Sequence, residues 1–310
     1  MSAALDLKPH SAAQPAVLSW ARSGLALATL LWAGNFIAGR ALRDEMAPLE
    51  LNVWRWTIAL AVLLPFTAGA LWRQRETVRR HLGLVFALGV TGVAVPHACV
   101  YAALQSTTAV NALLLMCLTP LLILLGARIL FGQPIRPWQW SGMLLAFAGA
   151  VTLVVRGSVE ALLALEFGAG DRWMLPVVFC GAAQVLLLKR APNQIGQAPL
   201  LTASIIAALA LMLPAALLSG SLSLPSSTRL TVSLGYMGVF ASAVAFVLWN
   251  RGVTGVGPSR AGPYLFLMPV HGAALSFVIL GEPVQTFQYA GGALVLLGLW
   301  LASDRVSNRR

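Results

Sequence analysis

Charged residues are scarce in this 310-residue sequence: Asp, Glu, Lys and Arg make up 10% of it, whereas hydrophobic residues make up 58%. Soluble domains carry roughly 25% charged residues. So few charges cannot cover a water-soluble fold of this length, which predicts an integral membrane protein with the lipid bilayer as a partner. The net charge of +11 does not indicate a nucleic-acid partner, because no basic face is interleaved with aromatic residues.

Cysteine and intramembrane acidic residues are also few. Cys99, Cys117 and Cys180 all lie in apolar runs without metal-ligand spacing, so we expect no disulfide and no metal site. There is no phosphate-binding loop for ATP hydrolysis, and we expect no cofactor. No Asp or Glu lies in the middle of an apolar run. The lack of a carboxylate proton relay favours facilitated diffusion or exchange, or coupling through a histidine if transport is coupled to protons.

Ten apolar runs are long enough to cross a bilayer, for which roughly 20 residues are needed. They are residues 23–41, 49–72, 82–104, 109–131, 138–155, 173–190, 199–218, 232–251, 259–280 and 286–303. The predicted fold class is therefore all-α integral membrane, with ten transmembrane helices. The predicted domains are a cytosolic tail (1–22), a five-helix repeat (23–155), a periplasmic linker (156–172), a second five-helix repeat (173–303) and a cytosolic tail (304–310).

The basic residues are unevenly distributed between alternate loops. Fifteen of the 21 lysines and arginines fall on one side of the ten predicted spans and five on the other, while Arg55 lies inside a span. Cytosolic loops of membrane proteins carry an excess of Lys and Arg. The bias predicts a multi-pass protein of the bacterial cell inner membrane with both termini cytosolic.

The chain contains one stretch twice. Residues 109–153 align without a gap on residues 258–302, at an offset of 149 positions. The pairs that coincide include Pro120 with Pro269, Gly132 with Gly281, Pro134 with Pro283, Gln139 with Gln288, Gly142 with Gly291 and Gly149 with Gly298. Earlier spans correspond more loosely, with Asn35 opposite Gln184. These residues set backbone geometry, so the pattern predicts two copies of one structural unit.

Each predicted copy holds five spans, and a duplicated unit with an odd number of spans must cross the membrane in the opposite direction. Inverted repeats are typical of secondary transporters, which bind substrate near the middle of the membrane where the halves meet. The sequence thus predicts a central cavity and transport by alternating access. The equivalent prolines Pro120 and Pro269 are the predicted hinges.

Several short motifs stand out along the chain, and those around Pro120 and Pro269 occur at matching places in the two halves. They are Trp32-Ala33-Gly34-Asn35-Phe36, Trp54-Arg55-Trp56, Leu118-Thr119-Pro120 with Phe131-Gly132-Gln133-Pro134, and Met268-Pro269 with Leu280-Gly281-Glu282-Pro283. Together they resemble the EamA family of the drug/metabolite transporter superfamily, over about residues 23–303. The resemblance implies ten helices in inverted five-helix repeats around a central cavity. It also implies export or exchange of small metabolites, often amino acids.

Polar side chains inside apolar runs are the candidate substrate-binding residues, because they are costly in a membrane. With neighbouring aromatic residues, the predicted set is Trp32, Asn35, Arg55, His97, Tyr101, Asn111, Trp249, Asn250, Tyr264 and His271. His97 and Tyr101 lie four residues apart on one helix face, and His97 can take up a proton. Tyr264 and His271 share a second face, which we expect to oppose the first across the cavity.

Each of the main candidates has a structural alternative. Asn35 can hydrogen-bond a zwitterionic substrate or join two helices. His97 can bind substrate or bond a backbone carbonyl. Arg55 can hold a substrate carboxylate by a bidentate contact, or it can pair with Glu50 or Asp44 near the outer surface.

Three classes of function compete. A secondary transporter of amino acids or related compounds is favoured, and drugs, nucleosides or sugar derivatives are the alternative solutes. A channel would require a ring of like polar groups in a symmetric oligomer, which the internal repeat disfavours. An intramembrane enzyme would require paired catalytic groups, which the four histidines do not form. A homodimer is left open, but a monomer can suffice for transport.

Overall fold

The computed structural model describes residues 15–42, 45–107, 109–165, 168–220, 222–225, 227–280 and 285–302. Within these residues the fold is helical and contains no β-strand. The α-helices are α1 (Pro15–Ala41), α2 (Pro48–Arg73), α3 (Arg75–Arg80), α4 (Leu82–Gly89), α5 (Val95–Ser106), α6 (Ala109–Met116), α7 (Thr119–Phe131), α8 (Pro137–Val154), α9 (Val159–Leu163), α10 (Met174–Leu188), α11 (Gln197–Leu218), α12 (Thr228–Gly238), α13 (Ala245–Val256), α14 (Pro258–Ala261), α15 (Leu267–Leu280) and α16 (Thr286–Ala302). π-Helical turns at Val90–Ala94 and Val239–Val244 join α4 to α5 and α12 to α13.

Among the described residues, six helical stretches are long and apolar enough to cross a membrane: Pro48–Arg73, Leu82–Ser106, Ala112–Phe131, Gly170–Leu188, Gln197–Leu218 and Thr228–Val256. Three further helices have 17 or more residues: α1 has 27, α8 has 18 and α16 has 17. The described part of α1 includes residues 15–22 of the predicted tail. The predicted linker contains α9 and the first three residues of a 3₁₀ turn at Gly170–Trp173.

Helix boundaries repeat at the offset found in the sequence. α2 begins at residue 48 and α11 at 197, and α8 begins at residue 137 and α16 at 286. The two π-helical turns begin at residues 90 and 239, and α7 and α15 end at residues 131 and 280. Each of these pairs differs by 149 positions. The duplication in sequence therefore corresponds to a duplication of local structure, including its irregular turns.

Equivalent helices pack against each other in antiparallel fashion. Gly142, near the start of α8, lies against Ala302 at the end of α16, whereas Gly149 lies against Gly291 near the start of α16. A Cβ atom added at Gly298 would lie 2.5 Å from the backbone nitrogen of Ala146, so the two backbones approach too closely for a side chain. This small-residue packing is typical of helix pairs in membranes.

The second antiparallel pair is formed by α2 and α11. Thr67 in the last turns of α2 hydrogen-bonds to Thr202 in the first turns of α11, with 3.0 Å between the hydroxyl oxygens. At the other end of the pair, Nδ2 of Asn52 lies 3.2 Å from the sulfur of Met212. Two pairs of equivalent helices thus run in opposite directions.

The halves interlock through reciprocal contacts. α1 packs on α13 and α15, and its counterpart α10 packs on α5 and α7. α2 packs on α12, and its counterpart α11 packs on α4. Two close backbone approaches are also reciprocal: a Cβ atom at Gly89 would lie 2.6 Å from the carbonyl oxygen of Ser204, and one at Gly238 would lie 2.9 Å from that of Arg55. These contacts surround a space between the halves, where the candidate site lies.

Candidate functional site

A cavity of about 140 Å³ lies between the two halves. Nine pairs of its lining residues occupy equivalent positions in the repeat: Trp32 with Gly181, Asn35 with Gln184, Phe36 with Val185, His97 with Phe246, Val100 with Trp249, Met116 with Leu265, Cys117 with Phe266, Thr119 with Met268 and Pro120 with Pro269. Both halves therefore build the cavity from the same helix faces. No Asp or Glu occurs among the described lining residues.

The predicted site residues divide into two groups. Trp32, Asn35, His97, Tyr101 and Trp249 line the cavity, as do the two predicted hinges, Pro120 and Pro269. Arg55, Asn250, Tyr264 and His271 do not contribute to this lining. The side chain of Asn111 lies outside the described residues.

Arg55 lies directly behind the cavity wall and is 0% exposed. Its Nη1 atom donates to the hydroxyl oxygen of Tyr101 at 3.0 Å, and its Nε atom donates to the hydroxyl oxygen of Ser242 at 2.9 Å. The guanidinium also lies 5.3 Å from the ring centre of Trp56, a cation–π contact. Neither Glu50 nor any other described carboxylate pairs with it, and its Nη2 atom has no partner among the described residues.

Tyr101 links the buried Arg55 to the cavity by a hydrogen bond. The phenol oxygen accepts a hydrogen bond from the guanidinium, so its own proton is available for an acceptor in the cavity. Hydrogen bonds in such chains polarise one another. The Arg55–Tyr101 pair therefore forms a donor end of the cavity, which suits a carboxylate or another anionic group.

The π-helical turns are fixed by side chains of α2. Nδ2 of Asn52 donates to the carbonyl oxygens of Val93 (3.3 Å) and Ala94 (3.0 Å) in the first turn. Arg55, one helical turn later, holds Ser242 in the second turn. One face of α2 thus fixes an irregular segment in each half, and such segments are frequent at functional sites.

His97 belongs to the aromatic wall of the cavity. Its Nδ1 atom lies 3.3 Å from the carbonyl oxygen of Val93. Its ring lies 5.6 Å from that of Trp56 and 5.9 Å from that of Phe246. The backbone contact considered for His97 is therefore present, and the same side chain also lines the cavity.

Two tryptophans complete that wall. The rings of Trp32 and Trp249 lie 5.1 Å apart, and Trp32 is also 5.1 Å from Phe246. Nε1 of Trp32 donates to the carbonyl oxygen of Ala241 at 3.0 Å. With its polar atom bound to the backbone, Trp32 presents an apolar face to the cavity. This lining suits a solute with an apolar body.

Two amides lie at equivalent positions in the cavity wall. Asn35 is 7% exposed, and its Oδ1 atom has no hydrogen-bond partner among the described residues. Nε2 of Gln184 donates to Oδ1 of Asn250 at 3.1 Å. Asn250 therefore orients Gln184 from behind. Gln184 was not among the predicted site residues, although its alignment with Asn35 was the signal that could have identified it.

The second predicted His–Tyr face does not oppose the first one across the cavity. Nδ1 of His271 lies 3.3 Å from the hydroxyl oxygen of Thr29 on α1. Tyr264 lies beside a smaller space with Arg22 and Arg260. The two residues instead contribute to packing around α1.

The fold and the cavity define a class: a multi-pass helical membrane protein with a solute-sized cavity between two related halves. The particular family follows from comparison with known proteins. The model of the EamA-like transporter family matches residues 19–155 and 168–304. The chain belongs to this family, as the sequence motifs predicted, and the match covers both repeats.

Individual relatives are also named as transporters. The chain is 29% identical to an uncharacterized transporter, YyaM, of Bacillus subtilis, over 83% of this chain and 85% of the relative. It is 27% identical to a probable terminal-alkyne amino-acid exporter of Streptantibioticus cattleyicolor (94% and 96% covered). It is 28% identical to a probable biotin transporter of Pseudomonas aeruginosa (89% and 96% covered). One solved crystal structure shares the fold, with a TM-score of 0.72, 22% identity and coverage of 92% of this chain and 96% of the other.

Proposed function

We propose that this protein is a secondary transporter that exports or exchanges amino acids or related small metabolites by alternating access. The observation that carries the proposal is the cavity lined by nine pairs of equivalent residues from the two halves. A site shared by inverted repeats can be exposed to either side of a membrane when one half rocks against the other. The prolines that begin the broken helices, Pro120 and Pro269, would act as the hinges.

The proposal includes a membrane topology. Ten spans in two inverted sets of five would place both termini in the cytosol of a bacterial inner-membrane protein. The antiparallel packing of α8 with α16 and of α2 with α11 supports this arrangement. A single chain contributes both walls of the cavity, so a monomer suffices.

The chemistry of the cavity supports a small carboxylate with an apolar body. The Arg55–Tyr101 pair supplies the donor end, and the aromatic wall around Trp32 and Trp249 supplies the apolar surface. Biotin is a second candidate solute, because it also joins a carboxylate to an apolar chain and one relative is named as a probable biotin transporter. Cationic drugs fit less well, since no described lining residue is acidic.

Counterflow tests the proposal. Purified protein is reconstituted into liposomes preloaded with unlabelled L-leucine, L-glutamate, L-lysine or biotin, and uptake of the same labelled solute is followed with and without a pH gradient. We expect saturable uptake of L-leucine, and little uptake of L-lysine. Saturable uptake of biotin alone would show that biotin, and not an amino acid, is the transported solute. No uptake of any of the four solutes would contradict the proposal.

A further inference from the structure

We propose that Asn35 and Gln184 form an acceptor site for a substrate N–H group, so that the cavity selects solutes with an amino group beside the carboxylate. This inference rests on the proposed function and deepens it. It assigns to Gln184 a role in binding, and it gives the cavity hydrogen-bond acceptors in addition to the donor supplied by Tyr101.

The unpartnered oxygen of Asn35 is the first observation. Asn35 lines the cavity, and its Oδ1 atom is buried without a hydrogen-bond partner among the described residues. An amide left unsatisfied in an apolar site is unfavourable. A ligand N–H group that reaches the cavity would supply the missing donor.

The position of Asn35 is fixed by contacts from the other half. The hydroxyl group of Tyr236 donates to the carbonyl oxygen of Leu31 at 2.9 Å, one turn before Asn35. Trp32 is held at the carbonyl oxygen of Ala241. Because two contacts from the other half anchor α1 one turn before Asn35, the amide is held in place before a ligand arrives, which reduces the entropy lost on binding.

Gln184 is oriented so that its oxygen remains available. Nε2 donates to Oδ1 of Asn250, and no described residue donates to Oε1. Asn35 and Gln184 are equivalent in the repeat and both line the cavity. A primary ammonium group has three donors, enough to serve two amide oxygens contributed by opposite halves.

Three matched probes test the site: L-leucine, isocaproate, which is leucine without its amino group, and isoamylamine, which is leucine without its carboxylate. The dissociation constant of each is measured by calorimetry on purified protein. A site built for a polar group rejects an analogue that lacks it, so we expect L-leucine to bind at least about tenfold more tightly than isocaproate. Isoamylamine should also bind more weakly than L-leucine, because it does not engage the donor end.

Variants identify the residues responsible. Asn35→Leu should reduce the leucine-to-isocaproate preference to about twofold or less, while isocaproate binding stays within about twofold of wild type. Asn35→Asp keeps an acceptor and should retain the preference. Gln184→Met should also reduce the leucine-to-isocaproate preference. Asn193→Leu is the matched control, because it makes the same kind of change at an exposed loop residue that does not line the cavity.

Other outcomes separate the two proposals. Equal binding of L-leucine and isocaproate by wild type, or an unchanged preference in Asn35→Leu, would overturn the acceptor site while leaving a carboxylate transporter in place. Failure of all three probes to bind wild type would overturn both this inference and the amino-acid substrate. If Asn35→Leu does not fold, the wild-type preference together with Gln184→Met decides the question.

Discussion

Arg55 of α2 and Tyr101 of α5 are joined by a 3.0 Å hydrogen bond that runs from a fully buried guanidinium to a cavity-lining phenol. Through its second bond, to Ser242, the same guanidinium contacts the other half of the protein. A charge that would be unfavourable in the membrane is thus held by two neutral hydroxyl acceptors. Its field acts on the cavity through Tyr101.

Tyr101→Phe removes the acceptor for Nη1 of Arg55 and the donor in the cavity. We expect L-leucine to bind about tenfold more weakly and the free energy of unfolding to fall by about 1–3 kcal/mol, because a buried charged group loses a hydrogen bond. Calorimetry and thermal unfolding in detergent measure the two effects. Tyr289→Phe is the control, since Tyr289 is 68% exposed on α16. Unchanged leucine affinity in Tyr101→Phe would remove Tyr101 from the site.

Asn52→Leu tests the anchoring of the first π-helical turn. The substitution leaves the carbonyl oxygens of Val93 and Ala94 without the bonds donated by Asn52. We expect the free energy of unfolding to fall by about 1–3 kcal/mol. Asn193→Leu, in an exposed loop, should have little effect. Equal thermal stability of the two variants would show that the turn does not depend on Asn52.

Gly298→Ala tests the close packing of α8 and α16. The added methyl group would lie 2.5 Å from backbone atoms of Ala146 and Gly142, so the helices must separate, and we expect destabilisation by about 1–3 kcal/mol. Gly292→Ala on the same helix is the matched control, because no atom lies within 4 Å of the added carbon. Because alanine has a higher helix propensity than glycine, the Gly292→Ala variant should be as stable as wild type or slightly more stable. Similar melting temperatures for both variants would contradict the described packing.

The hinge proposal predicts an effect on rate without an effect on affinity. The double variant Pro120→Ala/Pro269→Ala allows regular α-helix to form across the interruptions that precede α7 and α15. We expect counterflow of L-leucine to slow by about tenfold, equivalent to about 1.4 kcal/mol in the barrier, with an unchanged dissociation constant. Pro65→Ala is the control, since Pro65 lies inside α2 and does not line the cavity. Normal rates in the double variant would exclude the two prolines as hinges.

The helical membrane fold and the family could be predicted from the sequence because apolar runs and backbone-setting residues carry that information locally. The offset of 149 also anticipated where helices begin and end in the second half. The π-helical turns were not predicted. Val90–Ala94 and Val239–Val244 are apolar segments like their neighbours, and what holds them comes from α2.

Only part of the site could be predicted, because the sequence shows local spacing but not contacts between distant helices. Spacing alone placed His97 and Tyr101 on one face, and both line the cavity. The partners of Arg55 could not be identified, because Ser242 lies 187 positions away and no local pattern relates the two. The second His–Tyr pair satisfied the same spacing rule as the first, yet His271 contacts Thr29 instead. Spacing defines a helix face but does not say what that face contacts.

The reciprocal contacts of Gly89 with Ser204 and of Gly238 with Arg55 have an evolutionary consequence. The main chains meet in the same way at both places, but one position carries arginine and its counterpart carries serine. In a dimer of identical half-length ancestors, a single codon would have specified both, giving either two buried cations that repel each other or none. A single chain that holds both copies is free of that constraint. One half can therefore supply a buried cation behind the cavity while the two halves keep the same backbone contacts.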